Sequence, residues 1–184
     1  MNLNKFKLLL KHLWFDASDA KQHIGPDMLL RLTQRVAASE HRHTGQLRIC
    51  VEAALPMSYL WRLGGNATLA QLIRQRAVML FSKLRVWDTE HNNGVLIYLQ
   101  LAERAVEIVA DRGLSRQIPQ QEWQAMTLSM SAAFGSGRFE DGLTQALEEV
   151  SALLVTFFPA TARTAGEGQH DEPLDNLPDE PVLL

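Results

Sequence analysis

An α/β fold, with a mixed sheet sandwiched between helices, is what this chain predicts, and three observations carry that prediction. Helix-spaced and strand-spaced apolar patterns alternate along it in the order α-β-α-β-β-α-α. The run from Gly94 to Leu101 is apolar nearly throughout, as a central strand covered on both faces requires. Only Ala102-Glu103 separates that run from a second strand-like stretch, Arg104–Asp111, so this pair is expected to be antiparallel.

The elements follow in order. In residues 3–14, Leu3, Phe6, Leu9, Leu10, Leu13 and Trp14 share one side of a helical wheel, with Lys5, Lys11 and His12 opposite. Residues 1–24 are therefore read as an amphipathic basic segment. Its apolar side either packs on its own domain or a partner, or lies on an anionic membrane surface. Lys11 and His12 interrupt the apolar run after three leucines, which argues against a secretory signal. A domain is expected over 25–159. Gly25-Pro26 opens a helix carrying Leu29, Leu32 and Val36. His41-Arg42-His43 ends it, where cationic side chains suit the helix dipole. Leu47, Ile49, Val51 and Ala53 then alternate with Arg48, Cys50 and Glu52, a strand signature. Leu69, Leu72, Ile73, Leu80, Phe81 and Leu84 mark a long one-sided helix, with Asn66 as its expected cap. After the strand pair come two helices, one with Trp123, Met126, Met130 and Phe134, the other with Phe139 through Phe157. Residues 160–184 are acidic and broken by Pro173, Pro178 and Pro181, and are expected to be a solvated tail.

Composition narrows the function classes. The chain has 184 residues, 46% of them hydrophobic, which suits one sizeable core. A formal net charge of −3, without a basic stripe interleaved with aromatic residues, offers nothing to nucleic acid. Cys50 is the single cysteine, so no intramolecular disulfide forms, and it reads as a small buried hydrophobe. No apolar stretch has the length of a membrane span. The expected location is cytoplasmic or peripheral at the inner face of the membrane.

The chemistry concentrates at Val86–Asn93, a polar turn that feeds straight into the apolar run. Asp88, Glu90, Asn92 and Asn93 offer oxygen atoms within one turn, and Asp111 lies at the far end of the neighbouring strand. Hard cations such as Ca2+ and Mg2+ prefer such oxygens, so Asp88, Glu90 and Asp111 are the candidate metal ligands. The spacing is not that of an EF-hand. The competing reading is a structural turn in which Asp88 caps a helix end or bonds local amides, and Asn93-Gly94 supplies a positive φ. Asn92, Asn93 and Arg112 are the ligand-binding candidates. Arg112 either clamps an anion with its fork of donors or pairs with Asp111 on the surface. His91 has no second histidine at ligand spacing. Walker, dinucleotide-binding, nucleophile-elbow and zinc patterns are all missing.

Several short blocks stand in a recognisable order. They are Glu40 before Gly45-Gln46-Leu47-Arg48-Ile49, then Trp87, Asn93-Gly94-Val95-Leu96, Arg104 through Ile108, Gly113-Leu114, and Phe134 through Gly137 before Phe139 and Gly142. This order resembles the TPM domain family over residues 26–158. The resemblance implies a three-layer, Rossmann-like α/β/α sandwich. It also implies, for some members, divalent-cation binding at the sheet edge or acid phosphatase activity, and for others an accessory role without catalysis. The partner it implies is a LemA-like or other membrane-associated protein. Ser115 stands where the family usually has a glutamate. The expected function is a non-catalytic binding or accessory module, with a metal-dependent phosphatase centred on Asp88–Asn93 as the alternative.

Overall fold

A computed structural model describes residues 3–63, 67–160 and 177–184 of the chain. The N-terminal segment forms two helices, α1 (Leu3–Trp14) and α2 (Ala17–His23). Asp16 starts α2 by accepting from Ser18 N, and the Asp19 side chain takes the Asp16 N–H in return, a reciprocal cap. Then come α3 (Pro26–Glu40), β1 (Leu47–Glu52), α4 (Met57–Leu60) and α5 (Leu69–Lys83). Thr68 caps α5 in a box with Gln71. The cap expected at Asn66 falls outside the described residues. Helix α5 ends through left-handed Arg85 (φ 57), with Val86 N donating back to Phe81 O. The remaining elements are β2 (Val95–Gln100), β3 (Ala105–Ala110), α6 (Arg112–Ser115), α7 (Gln120–Gly135), α8 (Phe139–Phe157) and β4 (Val182–Leu183).

The sheet runs β3-β2-β1-β4. Strand β1 is parallel to β2 and to β4, while β2 and β3 form the expected antiparallel hairpin, turned by left-handed Arg104 (φ 52). Alternation divides the core in two. Leu47, Ile49 and Val51, with Val95, Ile97, Leu99, Val106 and Ile108, meet α2, α3, α7 and α8 on one face. Cys50, Leu96, Tyr98 and Val109 meet α4 and α5 on the other, with Leu8 and Leu9 of α1 at the margin. The result is the expected α/β/α sandwich with a mixed sheet.

Two expectations need correction. The solvated tail does not extend to the chain's end. Leu184 N donates to Val51 O, Ala53 N donates to Leu184 O, and Leu177 and Pro181 are buried. An apolar Val-Leu-Leu end finds an open strand edge beside β1, and that edge outweighs the acidic composition around it. His43 is not a surface cation either. It is fully buried, with Nδ1 donating to Gly45 O (2.9 Å) and Nε2 lying 2.8 Å from Ser39 Oγ. Helix α1 docks by its polar side: Lys5 and His12 face the domain and most of the apolar stripe faces out.

Candidate functional site: a polar corner at the start of β2

The corner is built by three short segments. Strand β2 is entered through Thr89–Gly94, and β3 leaves into α6 through Asp111, so both meet at one end of the hairpin. Asp111 N donates to Gly94 O, and Gly113 N donates to Asn92 O. Asn92 turns the chain in the left-handed region (φ 51). Both glycines are needed here. A Cβ on Gly94 would collide with the Val86 carbonyl oxygen, and one on Gly113 would stand 2.5 Å from Asn92 O and 2.7 Å from His91 O.

The candidate residues separate into two groups. Asn92, Asn93, Asp111 and Arg112 come together. Arg112 Nε donates to Asn92 Oδ1 (3.0 Å), so its fork engages the carboxamide and not the neighbouring carboxylate. Asn93 is buried, its side chain donating to Thr44 Oγ1 (3.3 Å) and its N–H to Thr89 Oγ1 (3.0 Å). Asp111 caps α6, its Oδ1 accepting from Arg112 N (2.7 Å). Its Oδ2 is buried and has no hydrogen-bond partner among the described residues. Asp88 and Glu90 do not join this group. Asp88 is held on the surface by Arg85 (2.6 Å), and Glu90 lies 3.9 Å from His91 Nδ1. Among the described residues, no set of three or more His, Cys, Asp or Glu side chains is placed to hold a metal ion.

The corner sits where β1 and β2 begin. Doubly wound α/β sheets usually take ligands where parallel strands end. Here that end is closed. Helix α1 crosses it, His12 Nδ1 accepts from Leu55 N (3.1 Å), and His12 Nε2 lies 3.2 Å from Glu103 Oε1. Gln100 adds Nε2 to Ala53 O (3.2 Å) and accepts from Glu103 N (2.7 Å).

Beside it lies a buried charged group that sequence reasoning did not single out. Arg76 forks onto Glu52, with Nε 3.1 and 2.9 Å from the two carboxylate oxygens, and Tyr98 Oη donates to Glu52 Oε2 (2.7 Å). The guanidinium also lies 5.6 Å from the centre of the Tyr59 ring. The available signal was a glutamate at the end of a fully buried strand, which demands a charged partner. A separate polar cavity of about 350 Å3 opens at the outer edge of β3. Its walls include Arg74, Glu107, Trp123 and Ser115, the position at which the chain departs from the family pattern. Burial pushes the Glu107 carboxyl above its usual range despite Arg74 at 3.2 Å.

The family model described as the TPM domain matches residues 18–153. The fold is also similar to the NMR structure of BA42 protein from the psychrophilic bacterium Bizionia argentinensis. The TM-score is 0.62 at 20% identity, covering 85% of this chain and 92% of that one. No curated protein matches the sequence.

Proposed function

This chain belongs to the TPM domain family, and on that premise we propose that it is a non-catalytic accessory module whose polar corner takes one hard divalent cation, Ca2+ or Mg2+. The Oδ2 of Asp111, buried and without a hydrogen-bond partner among the described residues, carries this reading. A buried carboxylate oxygen calls for a proton, a water or a cation, and Asn92 and Asn93 belong to the turn that the Gly113 N to Asn92 O hydrogen bond ties to Asp111. One carboxylate gives a weak site, with a Kd on the order of 1 mM. Such a donor set supports binding more than hydrolysis. Two-metal phosphoester hydrolysis needs several bridging ligands, whereas Asp88 pairs with Arg85 on the surface and Glu90 is exposed beside His91. The module's partner in this reading is a membrane-associated protein, LemA-like or otherwise.

The test is a Ca2+ and Mg2+ titration followed by amide NMR, on the wild-type protein and on Asp111→Asn. Saturating shifts at Asn92–Gly94 and Asp111–Gly113 that vanish in the variant are expected. No localised shift at millimolar cation would refute the cation site. Phosphoester hydrolysis that is lost on Asp88→Asn would overturn the non-catalytic reading in favour of the phosphatase.

A further inference from the structure

We propose that α1 is an interfacial helix that lies in the plane of an anionic lipid surface. Its outward side carries Phe6, Leu10, Leu13 and Trp14, exposed by 45%, 40%, 61% and 83%. These positions follow helical spacing, so they form one apolar stripe along a helix of twelve residues. The other large apolar side chains exposed on described residues, such as Leu30, Val78 and Leu128, stand singly on different elements. Single exposed hydrophobes are ordinary, whereas a contiguous stripe marks a contact surface.

The domain itself sets this orientation by using up the polar side of the helix. Lys5 Nζ donates to the carbonyls of Trp61 (3.4 Å) and Leu63. His12 is buried against Leu55 N and Glu103, and Leu8 and Leu9 pack on the second core. The contacts of four residues, Lys5, Leu8, Leu9 and His12, would have to be released for α1 to roll its stripe inward. Trp61, whose carbonyl meets Lys5, adds an indole that is 74% exposed beside the same helix.

Charge selects the occupant. Helix α1 contains Lys5, Lys7 and Lys11 and no acidic residue, in a chain whose net charge is −3. On the wheel, Lys7 and Lys11 flank the Trp14 edge of the stripe, and the Lys11 side chain remains 43% exposed while paired with Glu103. An apolar stripe edged by lysines, with an indole at the boundary, matches acyl chains below and anionic headgroups above. The proposal stands apart from the cation site, and it places the domain where a membrane-associated partner is found.

The experiment is co-sedimentation of the full chain with vesicles of equal parts phosphatidylglycerol and phosphatidylcholine, and with phosphatidylcholine alone. Binding to the anionic vesicles is expected, weakened by salt and lowered about fivefold by Lys7→Gln. The triple variant Leu10→Gln, Leu13→Gln, Trp14→Gln should lose at least tenfold while keeping the wild-type melting temperature. Should the triple variant misfold, Trp14→Gln alone carries the test, because its side chain is mostly exposed. Absence of binding to anionic vesicles, or binding that ignores these substitutions, overturns the proposal. So does concentration-dependent self-association abolished by the triple variant, which would make the stripe a protein interface. These outcomes leave the cation titration untouched.

Discussion

Two residues show how burial decides chemistry. Cys50 is fully buried, and burial first, with Glu52 adding to it, pushes its thiol up to about 12. At neutral pH the native protein should therefore resist maleimide, and labelling should appear only in step with unfolding by urea. Labelling of the native state at the rate of a free thiol would contradict this. Glu52 tells the complementary story. Its side chain is 5% exposed and that of Arg76 13%, so neither charge has bulk water in place of the other. Glu52→Gln leaves Arg76 buried without its counter-ion and is expected to cost about 3–5 kcal/mol, read as a fall in the urea midpoint. Replacing both by apolar residues of similar volume should recover much of that loss, since a buried pair gains little over good packing.

Among the elements, α1 is the one whose docking depends on titration. Burial opposes ionisation of Glu103, but His12 at 3.2 Å and the hydrogen bond from Lys11 outweigh it and hold the carboxyl below the usual glutamate range. A carboxyl lowered on folding stabilises the folded state at neutral pH, and that contribution fades as pH falls through the usual range to the lowered one. Acid should therefore loosen α1 before the sheet. The check is hydrogen exchange of the α1 amides against those of β2 as pH is lowered. Equal protection of both elements down to the acid transition would show that Glu103 does not hold the helix. Glu103→Gln should already show the loosened helix at neutral pH.

At the scale of the whole molecule, the sheet is completed by the end of the chain. Strand β4 pairs with Cys50 and Val51 on β1, and Leu177 is buried in the same core cluster as Cys50. Ending the chain at residue 176 removes that cover and opens an edge of β1. Loss of the buried Leu177 alone should cost about 1.5–3 kcal/mol. Calorimetry should show a lower melting temperature, and hydrogen exchange should show a deprotected Ala53 amide, which donates to Leu184 O. An unchanged melting temperature would mean that β4 contributes little to the folded state.

Much of this architecture was legible in the residues themselves. Period-2 and period-3.6 apolar spacing placed α3, α5, α7, α8 and the three long strands within a residue or two, because those patterns record which side each element buries. The two-residue link at Ala102-Glu103 told the sense of the β2–β3 pair, and Asn93-Gly94 and Asp111 were visible as a polar corner because turn chemistry is local. Spatial convergence was not visible in this way. Asp88, Glu90 and Asp111 look equivalent along the chain, yet Asp88 pairs with Arg85 on the surface and Glu90 is exposed beside His91. The Glu52–Arg76–Tyr98 group joins residues 24 and 46 positions apart, and no short-range pattern announces it. Local sequence determined the elements and which of their faces are apolar. Only the tertiary structure decided which face of α1 meets water, which edge the last residues cover and which charges meet. Those choices depend on surfaces that exist only once the sheet has formed.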